Sequence, residues 1–159
     1  MDFVLLLNPE EAVEKGYDGD LLKMFHVMDR RESTFWKKSG VPNALNEEQK
    51  AKNLTDRWVD KTKILLVVND EKEAVGFVEY TDAIYVSGIN WLSICYLYVK
   101  REYRKVGYGK ALLNYVRILA KHLNVDQVAL SVNVKNVGAQ RFYQKQGFIE
   151  QTKYLCVKP

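Results

Sequence analysis

Gly107 and Gly109 stand one residue apart in the run Arg104-Lys105-Val106-Gly107-Tyr108-Gly109-Lys110, between an apolar strand-like segment and a helix-like one. Glycine lets a backbone turn tightly and approach a ligand closely. A helix that starts at such a loop turns its unpaired N–H groups and positive dipole end toward it. Together these make an anion cradle suited to a pyrophosphate, and Arg104, Lys105 and Lys110 add charge beside it. A nucleotide P-loop would need Ser or Thr after Gly-Lys, and Ala111 stands there. A dinucleotide fingerprint would need a third small residue where Leu112 stands, although Asp126 lies where a ribose-binding acid is sought. The strand also ends near Val99, about seven residues before Gly107, too far for the tight turn that the fingerprint requires. An ordinary glycine loop with solvated basic residues is the plain alternative.

The second cluster runs from Asn136 through Ala139, Phe142 and Tyr143 to Gly147 and Phe148. Asn136 suits a helix N-cap and Phe142 a core position. Tyr143 follows Phe142 directly, so on a helix it points about 100° away and is free to leave the core.

Composition removes other chemistries. His26 and His122 lack ligand-spaced partners, so no metal site is expected. Cys95 and Cys156 read as buried free thiols of a reducing, cytoplasmic compartment. The net charge of +4 is diffuse, without the basic run that nucleic acid calls for. Apolar runs such as Phe3 to Leu7 and Ile64 to Val68 fall far short of the about 20 residues of a membrane span. No signal peptide is visible.

The elements that must carry these clusters follow from periodicity. The 159 residues suit one domain. Phe3 to Leu7 reads as a buried strand. Asn8 and Pro9 open a short helix that Gly16 ends. Leu21, Phe25, Met28 and Phe35 predict a helix over about Leu21 to Trp36. The capping box Asn46-Glu47-Glu48-Gln49 predicts a third helix with Ala51, Leu54 and Trp58 on one face. Ile64 to Val68, Val75 to Tyr80 and Ile89 to Val99 read as an antiparallel meander. A helix over about Gly109 to Leu123 follows, then a strand from Gln127 to Val134, a helix from Val137 to Gln146, and a last strand from Phe148 to Val157. This order argues a mixed α/β sandwich.

The two clusters, in this order and at this separation, resemble the GCN5-related N-acetyltransferase superfamily. Arg104, Gly107 and Gly109 match its acetyl-CoA loop, Arg/Gln-x-x-Gly-x-Gly/Ala. Asn136, Ala139, Phe142, Tyr143, Gly147 and Phe148 match its later motif. The resemblance covers about Lys63 to Val157. It implies a mixed, mostly antiparallel central sheet flanked by helices, in a single domain over 1–159. Residues 1–62 would shape the acceptor site and 63–159 form the acetyl-CoA-binding core. The strand from Ile94 to Val99 would splay from its neighbour and admit the pantetheine arm. Backbone groups of Leu97 and Val99 would bond the cosubstrate's amides, and N–H groups from Val106, Gly107, Tyr108, Gly109 and Lys110 the pyrophosphate. Asn136 would contact the pantetheine arm, and Tyr143 would act as general acid near the sulfur.

The implied reaction is direct attack of a primary amine on acetyl-CoA through a tetrahedral intermediate. A lysine-like amine has a pKa of about 10.4, so about one molecule in 2,500 is free base at neutral pH. A base, a water relay or a pKa-lowering environment must make up that deficit. Family members carry a Glu early on the fourth strand or on the fifth; here Ser93 and Ser131 align there. Glu79 is then the best remaining acid, alternating with Val75 and Phe77 and so sharing their face. Its plain alternative is a solvated strand-end carboxylate, and Asp82 is weaker still. Trp36, Trp58, Tyr80, Tyr85, Trp91 and Tyr96 wall either an acceptor pocket or the core. A non-catalytic acyl-CoA sensor on the same fold is the second reading, and a nucleotide-binding module the third. Acceptor and oligomeric state stay open, a homodimer included.

Overall fold

A computed structural model of the chain describes residues 1–40, 52–59, 61–81, 84–86 (backbone only), 88–153 and 155. Strand β1 (Asp2–Leu6) leads into α1 (Pro9–Glu14), whose first turn is capped by the Asn8 side chain. Helix α2 spans Asp18–Lys38 and the one-turn α3 Leu54–Arg57. Strands β2 (Thr62–Val68), β3 (Ala74–Thr81), β4 (Ile84–Val86) and β5 (Ile89–Val99) follow. Helix α4 (Tyr108–His122), β6 (Gln127–Leu130) and α5 (Val137–Lys145) complete the order.

The strands form one mixed, mostly antiparallel sheet in the order β1-β2-β3-β5-β4, with β6 pairing β5 in parallel. Trp91 of β5 pairs with Ile84 of β4 and with Gln127 of β6, so β6 lies on the edge of β5 opposite β3 and β4. The expected meander is present, with the short β4 inserted ahead of its third strand.

Each face of the sheet carries its own core. Ile64, Leu66, Phe77 and Tyr98 pack under α2 with Leu21, Met24, Phe25 and Met28. Leu65, Val67, Val78, Tyr80 and Ile94 pack under α4 with Leu112, Leu113 and Val116. The apolar stripe of α4 recurs at helical spacing and buries one face, as its sequence requires.

Three expectations are corrected. Val75 does not share a face with Phe77 and Glu79. The ladder with β2 slips between Val67 and Val68, so Val75 is an extra residue and packs on the α4 side while Phe77 packs on the α2 side. Pairing in β6 stops at Leu130, short of Val134. Residues 148–153 and 155 form no strand. The capping box at 46–49, Ala51, Asp82, Cys156 and the Tyr85 side chain lie outside the described residues.

Candidate functional site

The β5–β6 ladder runs from Trp91/Gln127 to Ile94/Leu130 and then ends. Beyond it the two chains diverge around a cavity of about 100 Å³. Cys95, Tyr96 and Leu97 line one side, Ser131, Val132 and Asn133 the other, and Asn136, Ala139 and Tyr143 of α5 close one end. Met28 and Glu32 of α2 complete the wall. A bulge sharpens the opening: Tyr80 pairs with Ile94 and Glu79 with Tyr96, leaving Cys95 unmatched.

The ladder also fixes which backbone groups face the opening. Lys100 N–H donates to Val75 O, and the register pairs Phe77 with Tyr98 and Glu79 with Tyr96. Bonding alternates along antiparallel strands, so Leu97 and Val99 turn their N–H and C=O groups away from β3, toward the edge that β6 has left. Val99 O accepts from Arg104 Nε at 2.8 Å. Arg104 thereby ties the end of β5 to the loop that follows, and its guanidinium sits 5.6 Å from the Tyr98 ring centre.

That loop is held from behind. Glu73 accepts from Lys100 Nζ and from Tyr103 Oη, both at 2.7 Å. These donors hold its carboxyl below the usual carboxylate range. Gly107 is the N-cap residue of α4 with φ +107, a conformation only glycine adopts readily, and no side chain caps the helix. The first intrahelical bond there is Ala111 N–H to Gly107 O. The N–H groups of Tyr108, Gly109 and Lys110 thus lie ahead of the hydrogen-bonded ladder. Lys105, Val106, Gly107 and Lys110 are exposed. Gly109 has a second reason to be glycine: a Cβ there would lie 3.3 Å from Phe142 Cζ, so Gly109 lets α5 close against α4.

Asn136 caps α5, its Oδ1 accepting from Ala139 N–H at 3.3 Å, and also lines the cavity. Phe142 packs in the α4-side core. Tyr143 packs beside it and against Phe148, yet reaches the cavity. Burial pushes its phenol up to about 12, with the nearby Glu32 charge adding to the shift. It therefore stays protonated throughout the neutral range.

Glu79 is fully buried, so the solvated-carboxylate reading fails. Oε1 accepts from Thr62 Oγ1 at 3.0 Å, while the buried Oε2 has no hydrogen-bond partner among the described residues. Burial raises the carboxyl above its ordinary value against the opposing pull of Arg57. Arg57 stacks on Phe25 at 4.2 Å and Tyr96 at 5.1 Å and pairs with Asp29 at 3.6 Å. Glu79 is not among the residues lining the cavity, so it has no surface there on which to meet an amine. Cys95 is a half-buried free thiol that burial pushes up, which disfavours a nucleophilic thiolate. Of the six aromatics, Tyr96 lines the cavity, Tyr80 and Trp58 pack in the cores, and Trp36 is exposed.

Glu32 was not legible as a site residue. It lies on a helix whose relation to the cavity depends on long-range packing. Arg31, beside it, lies close enough to Arg104 to add charge near the loop. Among the described residues no cluster suits a metal ion, and no helix is long and apolar enough to cross a membrane.

Comparison with known proteins bears on this geometry. The model of the acetyltransferase (GNAT) family matches residues 25–148. The tetramutant of a Bacillus halodurans protein superposes with a TM-score of 0.78 at 14% identity, over 100% of both chains. A ribosomal-protein-alanine N-acetyltransferase from Brucella melitensis biovar Abortus 2308 gives 0.66 at 16% identity, over 99% of this chain and 98% of that one. An aminoglycoside acetyltransferase from an uncultured soil metagenomic sample gives 0.58 at 16%, over 100% and 99%. At these identities the likeness to solved structures is one of fold.

Proposed function

The chain belongs to the acetyltransferase (GNAT) family, and from that premise we propose that it transfers an acetyl group from acetyl-CoA to a primary amine. The observation that carries the proposal is the parting of β5 from β6 beyond Ile94 and Leu130, with the Gly107 loop beyond the end of β5. A thioester-bearing arm fits such a wedge, and a pyrophosphate fits the loop.

Each residue then has a task. N–H groups from Val106 to Lys110 bind the pyrophosphate, with Arg104, Lys105 and Lys110 supplying charge. Leu97 and Val99 offer backbone groups to the arm's amides, and a strand N–H stabilises the carbonyl oxygen as it gains charge. Asn136 contacts the arm from the α5 side. The amine nitrogen forms a C–N bond with the carbonyl carbon, the C–S bond breaks, and Tyr143 Oη–H supplies the proton to sulfur. Glu79, on β3 opposite Tyr96, adds to the electrostatic field at Arg57.

The test is acetyl-CoA turnover against a panel of primary amines, read as free thiol release, with calorimetry of acetyl-CoA binding alongside. Thiol release that depends on an amine is expected. Tight binding without turnover on any amine would instead favour the acyl-CoA sensor. Binding of ATP or NAD with none of acetyl-CoA would favour the nucleotide-binding module.

A further inference from the structure

The proposed transfer leaves one proton without a destination, the one the amine nitrogen gives up. Ser93 and Ser131 supply no carboxylate, and Glu79 has no surface on the cavity. Glu32 is the only carboxylate in the cavity wall among the described residues. It comes from α2, lines the cavity together with Leu97 and Tyr143, and its charge is felt at the Tyr143 phenol. The rest of the wall is neutral: amide, hydroxyl, thiol and apolar groups.

We propose that Glu32 is the residue that receives the acceptor's ammonium group and takes its proton. Two features support it. The first is place: Glu32 and Tyr143 line one cavity, so a base for nitrogen and an acid for sulfur flank the same carbonyl. The second is environment. Partial burial holds the Glu32 carboxyl above its ordinary value, against Arg31 and with Asp29, which moves a carboxylate toward the range of an effective base. In proton terms, R–NH₃⁺ gives one proton to the Glu32 carboxylate, the free amine forms the C–N bond, and the second proton that nitrogen sheds as the amide forms restores the one Tyr143 gives to sulfur, so that the net proton released rests on Glu32.

This inference rests on the acetyl-transfer reading, and the experiment separates the two. Parent protein, Glu32→Gln and Glu32→Asp are each assayed with acetyl-CoA and two nucleophiles: n-butylamine, charged at neutral pH, and methoxyamine, uncharged there. Glu32→Gln should lose at least 100-fold in kcat/KM for n-butylamine, Glu32→Asp should recover part of it, and methoxyamine turnover should change less than threefold. Acetyl-CoA affinity by calorimetry should be the same in all three. Equal loss with both nucleophiles, or none with either, overturns the proposal. Where the parent turns over neither, n-butylamine is titrated calorimetrically into the CoA complex. Binding that Glu32→Gln abolishes supports the ammonium site, and absent or unaltered binding overturns it. Failure of the parent to bind acetyl-CoA overturns the acetyl-transfer reading instead.

Discussion

Ile94 and Leu130 form the last rung of the parallel β5–β6 ladder, and the residue that follows each, Cys95 in β5 and Ser131 just past β6, lines a cavity. A parallel pair that parts in mid-sheet leaves backbone groups of β5 without strand partners. Leu97 and Val99 are the residues so placed, because β3 uses the alternate ones.

Filling the wedge should therefore block binding without touching either core. Ala139 lines the cavity from α5 and is half-buried. Ala139→Phe should lower acetyl-CoA affinity at least tenfold in calorimetry, while the melting temperature moves little, since the added ring enters an open cavity rather than a packed core. Unchanged affinity in folded protein would move the binding site out of this cavity.

The Gly107 loop has its own test. Gly109 is a poor position for it, since any side chain there meets Phe142 and disturbs the α4–α5 contact as well. Gly107 is better: a Cβ on it would meet no atom within 4 Å, and only its φ of +107 resists substitution. Gly107→Ala should cost about 1–2 kcal/mol of local strain and tilt the loop N–H groups off their target. Acetyl-CoA affinity should fall about tenfold, the worth of about 1.4 kcal/mol, with dephosphorylated pantetheine compounds spared. Equal losses for both would mean that the loop does not read the pyrophosphate.

The elements were legible wherever periodicity and punctuation agreed. Leu112 and Val116 announced α4, Asn136 and Gly147 bracketed α5, and Ile89 to Val99 was marked as β5 by its place as the third strand of a meander. The Asn136-to-Phe148 run held Asn136, Ala139 and Tyr143, which line the cavity, whereas the glycine loop lies beyond the end of β5 and outside that lining. Three things escaped. The slip at Val75 rests on the register with β2, which no single strand encodes. The burial of Glu79 rests on Thr62 and Arg57, 17 and 22 positions earlier in the chain. Glu32 entered the cavity wall because α2 packs across the sheet there, and helical periodicity says which residues face inward, not what they meet.

Tyr143 offers a substitution that changes one atom. Tyr143→Phe retains the ring contacts with Phe142 and Phe148. Turnover on an accepted amine should fall about 100- to 10,000-fold, and acetyl-CoA affinity should hardly change. Because burial pushes the phenol up to about 12, the parent's rate should show no loss from its ionisation up to pH 10. A parent-like rate in the variant, with chemistry rate-limiting, would reduce Tyr143 to packing.

Arg57 pairs with Asp29 and its charge also acts on Glu79, and the carboxyls of both are raised by burial despite it. A carboxyl with a raised folded-state value holds its proton more tightly folded than unfolded. Its favourable contribution is full below the ordinary carboxylate value and is lost as pH rises through the raised one. Glu79→Gln removes that dependence, so it should gain stability relative to the parent as pH climbs from 4 to 7. Arg57→Ala acts the other way, leaving the buried Glu79 and the partly buried Asp29 without their cation, at a cost of about 3 kcal/mol at pH 7. That cost should shrink at pH 4, where both carboxyls are closer to neutral. The double variant Arg57→Ala/Glu79→Gln should recover part of the pH 7 loss, since the two side chains interact and their effects do not add. Denaturant melts at pH 4 and pH 7 measure all four proteins. A cost for Arg57→Ala that is the same at both values, with no recovery in the double variant, would mean that Arg57 works by stacking on Phe25 and Tyr96 alone.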